Sequence, residues 1–381
     1  MSISQYVPGL ENVIAANTKI SSIDIERHKI LIRGYDLIEL AREASFEEVA
    51  YLMLYGELPT SDVLTQFSNR LARERNVPDA IHEIMQKLPS NTESMDALKI
   101  GIAALAPFDP ELEDGSYEAN QRKAERLLAK SPTLVANGWR TIMGKPRIQP
   151  SAELGFAADF LRMLTGKIPP QKDTRFFEQT LVLYVEHELA ASTFAARVVS
   201  STLSDIYGAT EAGVAALKGP LHGRANEKAM EMLLEIGSLE NVEPYLRALL
   251  ARKQRVMGFG HRIYRRGIDP RAEMVKQMLM ELAEDRGQLG LYKMADYAQT
   301  FMANEKQLYP NVDFFIGPVY YLLGIPIELD TAIFAASRIA GWAAHVIEQQ
   351  NDNRIYRPRA IYSGPREQQY IPMQQRAGQT T

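Results

Sequence analysis

Residues 174–204 read TRFFEQTLVLYVEHELAASTFAARVVSSTLS. Leu181, Val182, Leu183, Val185, Leu189, Phe194, Val198 and Val199 spread apolar side chains over most of a helical circumference instead of along one stripe. A helix that is apolar all round leaves no face for water, so this stretch is expected to run as one helix through the core. The same helical periodicity recurs on both sides. Toward the N-terminus, Ser45 opens SFEEVAYLMLYGELP (45–59) with Glu48 at the capping-box position, and Gly56 and Pro59 close it. Apolar-periodic segments follow at 61–75, 78–88, 94–106, 117–129, 131–143 and 151–165, separated by Pro, Gly, Asp or Ser. Toward the C-terminus, helices are expected at 223–236, 242–255 and 270–286. A small-residue apolar helix at 325–350 precedes a Pro-rich, polar tail from 351. The β signal is TKISSIDIERHKILIRGY (18–35), whose runs Ile20–Ile25 and Ile30–Ile32 flank a polar turn and predict one hairpin. With no alternation of strand and helix, a Rossmann fold or TIM barrel is disfavoured, and the fold class is mainly α with a small N-terminal β-hairpin.

A chain of 381 residues has room for two domains. A Gly- and Ala-rich stretch at 208–219, followed by a more charged region, places a small helical domain at 219–323, with 1–218 and 324–381 forming a large one. The 43 Lys and Arg against 47 Asp and Glu leave a net charge of −4 and no global basic field for nucleic acid or an anionic membrane. Any anion site is therefore local. Zero cysteines exclude disulfides, thiolate catalysis and cysteine metal sites, and fit a reducing compartment. MSISQYVPGL (1–10) has no basic, then apolar, leader pattern, and no run of 18 apolar residues occurs, so a soluble cytoplasmic protein is expected.

Six histidines occur, and none pairs with another at HExxH or zinc-finger spacing, so no metal site is expected. His28 in the hairpin turn, His82 on an amphipathic helix and His345 after Trp342 all read as structural. His222 differs, because LKGPLHGRANEKAM (217–230) sets it behind Gly219 and Pro220 at a helix N-terminus. There the positive dipole end disfavours imidazolium, and a neutral ring can donate to a carbonyl that gains negative charge. A turn histidine that merely caps the helix is the other reading. His261 lies in RKQRVMGFGHRIYRRGIDPRAEMVK (252–276), where eight Lys or Arg face only Asp269 and Glu273. Gly258 and Gly260 let backbone approach a ligand, so a phosphate- or carboxylate-binding loop competes with a solvated basic face. Arg338 stands in TAIFAASRIAGWAAHVI (331–347), a guanidinium in a small, apolar helix. Its anion is an internal carboxylate or a bound substrate carboxylate, and both remain open. Asp313 in YPNVDFFIGP (309–318) is an acid among aromatics, where desolvation raises the pKa and makes a usable base; an Asx turn is the alternative. His187 shares an expected apolar row with Leu183, Phe194 and Val198, which fits a core histidine as well as a site residue.

Taken together, VPGLENV (7–13), GPLHG (219–223), GFGHRIY (258–264), DPRA (269–272), NVDFF (311–315), SRIAGW (337–342) and RPRAIYSGP (357–365) resemble the citrate synthase family over nearly the whole chain. The resemblance implies a mainly helical, two-domain homodimer that joins oxaloacetate to the acetyl group of acetyl-CoA. It implies Asp313 as the base that removes an acyl α-proton, His222 as hydrogen-bond donor to the enol oxygen, and His261 as the acid on the oxaloacetate carbonyl, assisted by His187. Arg271 and Arg338 match carboxylate clamps, and Arg357 matches a clamp contributed across the dimer interface. Val256, Met257, Gly258, Phe259 and Gly260 resemble the segment that cradles CoA adenine, and Arg265 a phosphate ligand. No cofactor is implied, since the acyl-CoA is a substrate. ILIRGYDLIEL (30–40), STFAARVVSSTLSDIYGA (192–209) and PVYYLLGIPIEL (318–329) also look like 2-methylcitrate synthases, which use propionyl-CoA. Arg224, beside His222, is a candidate for tuning the acyl pocket. A lyase running the reaction backward and a non-enzymatic helical scaffold are the other classes.

Overall fold

The computed structural model of the chain describes residues 6–376 except Arg262, Arg265 and Arg266. It divides into two compact units, one spanning Thr18–Ile355 and the other formed by the described chain ends, up to Asn17 and from Tyr356. The end unit is irregular apart from two short 3₁₀ turns, Pro8–Leu10 and Met373–Gln375, and it holds Arg357, which is exposed.

The larger unit opens with the expected hairpin. Ser21–Asp24 (β1) pairs antiparallel with Lys29–Ile32 (β2), Ser21 opposite Ile32 and Asp24 opposite Lys29. A two-residue strand, Tyr35–Asp36 (β3), adds to the far side of β2. Helices follow at Leu37–Glu43 (α1), Phe46–Tyr55 (α2), Ser61–Glu74 (α3), Asp79–Gln86 (α4) and Ser94–Leu105 (α5). Ser45 caps α2 by accepting from the Glu48 N–H at 3.2 Å, and Gly56 ends it at φ 88°, as the sequence predicts. The two segments expected at 117–129 and 131–143 are one helix, Tyr117–Ile142 (α6), which passes through Pro132. Proline at that position leaves the Leu128 carbonyl without its helical donor, and the Ser131 hydroxyl supplies one at 2.9 Å.

Phe156–Thr165 (α7) leads to the stretch expected as one core helix, and here the structure differs. Gln171–Tyr184 (α8) and Ala191–Ser200 (α9) are separated by non-helical backbone at 185–190, with Glu188 at φ 55°. His187 therefore lies on the break and not on an apolar helical row. Ile206–Leu217 (α10) follows in the Gly- and Ala-rich stretch. Residues 219–323 carry Ala225–Ile236 (α11), Val242–Ala251 (α12), Pro270–Asp285 (α13), Leu289–Lys306 (α14) and Val312–Leu322 (α15). The chain then enters Asp330–Asn351 (α16), buried along nearly all its length.

That central helix packs against α2, α6, α8, α9 and α10. Its Gly341 is required by a close approach: a Cβ there would lie 2.4 Å from the Val185 carbonyl oxygen. The break in 174–204 is thus pressed directly onto α16, three residues from Arg338. No described helix is long and apolar enough to cross a membrane. Mainly helical architecture with a small N-terminal sheet is what the sequence predicts, though α1, α10, α14 and α15 were not expected as separate helices.

Candidate active site

Five elements bring the singled-out side chains together: the break after α8, the turn before α11, the loop that carries His261 with the start of α13, the N-terminus of α15, and α16, which carries Arg338. Each position has a local cause. His222 stands in a turn closed by its own N–H to the Gly219 carbonyl (2.9 Å) and by the Gly223 N–H to the Leu217 carbonyl (2.9 Å). Gly223 is forced, because a Cβ would lie 2.3 Å from that Leu217 oxygen. The His222 Nε2 is 2.8 Å from Ser192 Oγ and accepts from the Ser192 backbone N–H at 3.3 Å. A peptide N–H only donates, so Nε2 is bare and the ring proton sits on Nδ1. Burial, with a smaller push from the Arg338 charge, lowers the pKa to about 4, so the ring is neutral at pH 7. The largest cause of the lowered pKa is burial of the ring.

His261 shows the complementary arrangement. Its Nδ1 accepts from the Ile263 N–H (3.0 Å) and the Tyr264 N–H (3.4 Å), which places the proton on Nε2. Burial, and then the charge of Arg271, push its pKa down to about 4. Its ring centroid lies 5.2 Å from that of His187 and 4.7 Å from that of Tyr264. His187 is buried and held well below the usual imidazole range by burial, then by Arg271, His261 and Arg338. The same group therefore feels both arginines.

Those arginines differ in how they are satisfied. Arg271, in the first turn of α13, sets Nε and Nη2 on Asp269 at 3.0 and 2.7 Å, and Asp269 caps that helix. Arg338 is 1% exposed, yet it makes no ion pair among the described residues. Its Nε donates to the Tyr184 carbonyl at 2.6 Å and its guanidinium lies 4.7 Å from the Phe334 ring centroid. Burial lowers its pKa to about 10, which leaves it charged at neutral pH. Of the two anions considered from sequence, an internal carboxylate in direct contact is not there. The buried Glu186 carboxylate acts on Arg338 through space without direct contact, which leaves the guanidinium able to take an anionic ligand.

Asp313 occupies the first turn of α15, with Asn311 capping its N–H at 3.1 Å. Its Oδ1 accepts from the Tyr184 hydroxyl at 2.6 Å. Burial raises its pKa, while the Tyr184 hydrogen bond and the Arg271 and Arg338 charges hold that rise back. The 256–260 loop lies against the same helix start. Gly258 (φ 78°) has no room for a Cβ, which would meet Phe314 at 2.7 Å, and Phe259 packs 4.5 Å from the Phe314 ring. The Asn311 N–H donates to the Gly258 carbonyl at 2.9 Å and its side chain to that of Gly260 at 3.1 Å. Val256 to Gly260 thus forms a brace directly ahead of Asp313. A bare-edged carboxylate, two neutral imidazole donors and two guanidinium groups are the equipment for carbon acid chemistry on an anionic partner.

The family model for the citrate synthase C-terminal domain matches residues 9–359. The chain belongs to the citrate synthase family. It is 46% identical over 363 residues to the citrate/2-methylcitrate synthase of Bacillus subtilis (strain 168), covering 95% of this chain and 98% of that one. It is 44% identical to the citrate synthase of Heyndrickxia coagulans, over 96% of this chain and 98% of the relative. Among solved structures, the ternary complex of citrate synthase from Thermoplasma acidophilum with carboxymethyl coenzyme A and oxaloacetate superposes with a TM-score of 0.91 at 33% identity, covering 97% of this chain and 98% of that one. The chain is accordingly a transferase that carries out citrate synthase-type condensation.

Within this citrate synthase family member, His187, His222, His261, Arg271, Arg338 and Asp313 all lie in the Thr18–Ile355 unit, whereas Arg357 lies in the end unit. Arg265 lies outside the described residues. Arg224 turns its guanidinium to Glu93 (3.0 Å) and Glu227 (3.7 Å), from a backbone φ of 64°. Sequence reasoning missed Tyr184, Ser192 and Asn226, which hold Asp313 and His222. It also missed Glu186, which accepts from Ser21 (3.0 Å) and His345 Nε2 (3.2 Å) and so steadies the break that carries His187. Among the described residues no three His, Asp or Glu side chains are arranged to hold a metal ion.

Proposed function

We propose that this enzyme takes both acetyl-CoA and propionyl-CoA, condensing either with oxaloacetate and water to release CoA and citrate or 2-methylcitrate. In this reading Asp313 removes a proton from the acyl α-carbon while His222 Nδ1–H hydrogen-bonds the thioester oxygen of the resulting enol. The enol carbon attacks the oxaloacetate carbonyl, whose oxygen takes a proton from His261 Nε2, and water then cleaves the thioester. His187, Arg271 and Arg338 bind oxaloacetate, and the Val256–Gly260 loop binds the CoA adenine. The observation that carries the reading is Arg338, a buried guanidinium in no direct ion pair among the described residues, whose charge acts on His187, His222 and Asp313. A substrate carboxylate is the group that satisfies it.

Dual acyl use is supported by relatives of both names at similar identity, including the 2-methylcitrate synthase of Mycobacterium tuberculosis (strain ATCC 25618 / H37Rv) at 42% over 96% of this chain and 92% of that one. The substrates differ by one methylene, which an apolar pocket discriminates by only about 10- to 200-fold. Phe314, Phe315 and Ile316, all fully buried beside the base, and Arg224 are the proposed tuning positions. We further assign 219–323 as a small domain that closes on a large one of 1–218 and 324–381, and a homodimer in which Arg357 serves the partner's site. The absence of cysteine supports a cytoplasmic location. Oxaloacetate-dependent release of free CoA, followed with each thioester, tests the proposal. Release with neither overturns condensation, and release with acetyl-CoA alone overturns dual use.

A further inference from the structure

Tyr184 is the last residue of α8, and it touches both halves of the site through different atoms. The last carbonyls of a helix have no partner within it, and that of Tyr184 accepts from Arg338 Nε at 2.6 Å. Its hydroxyl donates to Asp313 Oδ1 at 2.6 Å and accepts from Asn226 Nδ2 at 3.4 Å. The ring is fully buried and stacked on Phe334 at 4.1 Å between centroids and 10° between planes. The same Phe334 ring packs on the Arg338 guanidinium. One buried residue therefore fixes the position of a cation on one side and a carboxylate on the other.

We propose that Tyr184 is the positioning residue that couples the two substrate sites: its carbonyl aims Arg338 at a substrate carboxylate, and its hydroxyl occupies Asp313 Oδ1 so that Oδ2 faces the acyl group. The inference rests on the reading of Asp313 as base and Arg338 as carboxylate clamp. Two opposing effects meet at the base. Burial makes Asp313 more basic, and the Tyr184 O–H opposes that rise by stabilising the ionised form at Oδ1. Arg338 contributes to the same stabilisation from a distance. When a substrate carboxylate offsets that charge, Asp313 becomes a stronger base while Tyr184 still holds it in place. Proton abstraction is then more favourable with oxaloacetate bound than without it.

Tyr184→Phe removes the hydroxyl alone and keeps the carbonyl and the stacked ring. Oxaloacetate affinity, read by calorimetry, is expected to be unchanged. At neutral pH kcat is expected to fall by about 10-fold or more, as for impaired base catalysis, and the acidic limb of the kcat–pH profile is expected to move to higher pH. Loss of a donor to the carboxylate raises its pKa, which gives that direction. An unmoved limb overturns the proposal, whether kcat is retained or is lost together with oxaloacetate affinity. Should the Phe variant fail to fold, difluorotyrosine placed at 184 in the full chain keeps the shape and strengthens the donor. The limb must then move to lower pH, and an unmoved limb overturns the proposal. Asp313→Asn is run alongside. If it keeps more than about a tenth of kcat, the reading of the base fails, independently of Tyr184.

Discussion

His222 and His261 are both neutral rings, and each carries its proton on the nitrogen left free by a backbone N–H. This has a cost that depends on pH. Unfolded, each ring takes up a proton near its ordinary pKa of 6.5, whereas in the folded chain it does so only near 4. The unfolded state binds more protons between those values, so the stability these sites allow is fully present above about 6.5 and is lost as pH falls toward about 4. Urea midpoints measured across that range should decline with falling pH, and the decline should be shallower in His222→Gln and His261→Gln. Equal slopes in all three proteins would acquit the histidines. Both histidines were legible in sequence because Gly and Pro mark their turns. Tyr184 was not, since an aromatic in an apolar run has the same pattern whether its hydroxyl meets the Asp313 carboxylate or a core group. Arg338 was legible as a buried cation, but only the structure shows that no described carboxylate contacts it directly.

The elements meet where side chains are missing. Gly317 of α15 lies so close to α11 that a Cβ would stand 2.5 Å from the Asn226 carbonyl oxygen. Gly317→Ala must push α15 from α11, at an overpacking cost of about 1–3 kcal/mol. It should also stretch the link from Asn226 through Tyr184 to Asp313, lowering kcat together with the urea midpoint. Unaltered stability would mean that the contact is softer than the packing indicates. The periodicity of 174–204 predicted its burial correctly and its continuity wrongly. VEHELA (185–190) contains neither Gly nor Pro, and its break depends on Gly341 and on the Ser21 and His345 side chains that hold Glu186, all distant in sequence. Pro132 misled in the opposite direction, because its repair by Ser131 is a side-chain detail that no punctuation rule reads. The small-residue composition of α10 hid a helix whose Gly213 lies against the Trp342 ring, with 2.9 Å available to a Cβ.

At the scale of the molecule, the proposed mechanism needs a dry site and a partner chain. Closure of 219–323 should protect the loop 256–260 from hydrogen exchange when oxaloacetate binds, and identical exchange with and without it would contradict closure. If Arg357 serves the partner's site, mixed dimers of inactive Arg357→Ala and inactive His261→Ala chains should regain activity, because one of the two sites carries neither lesion. Inactive hybrids, with subunit exchange verified, would remove Arg357 from that role. Fold class and family were readable from sequence, since short motifs separated by long helical stretches survive as patterns. Helix number was not, because Pro132 lies inside one helix and the break in 174–204 carries no Gly or Pro. The central claim is that Asp313 is the base of a condensation whose other substrate is held elsewhere. Asp313→Asn tests it most directly, with oxaloacetate-dependent CoA release and oxaloacetate affinity measured on the same protein. Turnover should fall by about 10²- to 10⁴-fold with affinity unchanged, whereas retention of more than about a tenth of wild-type kcat would contradict the account.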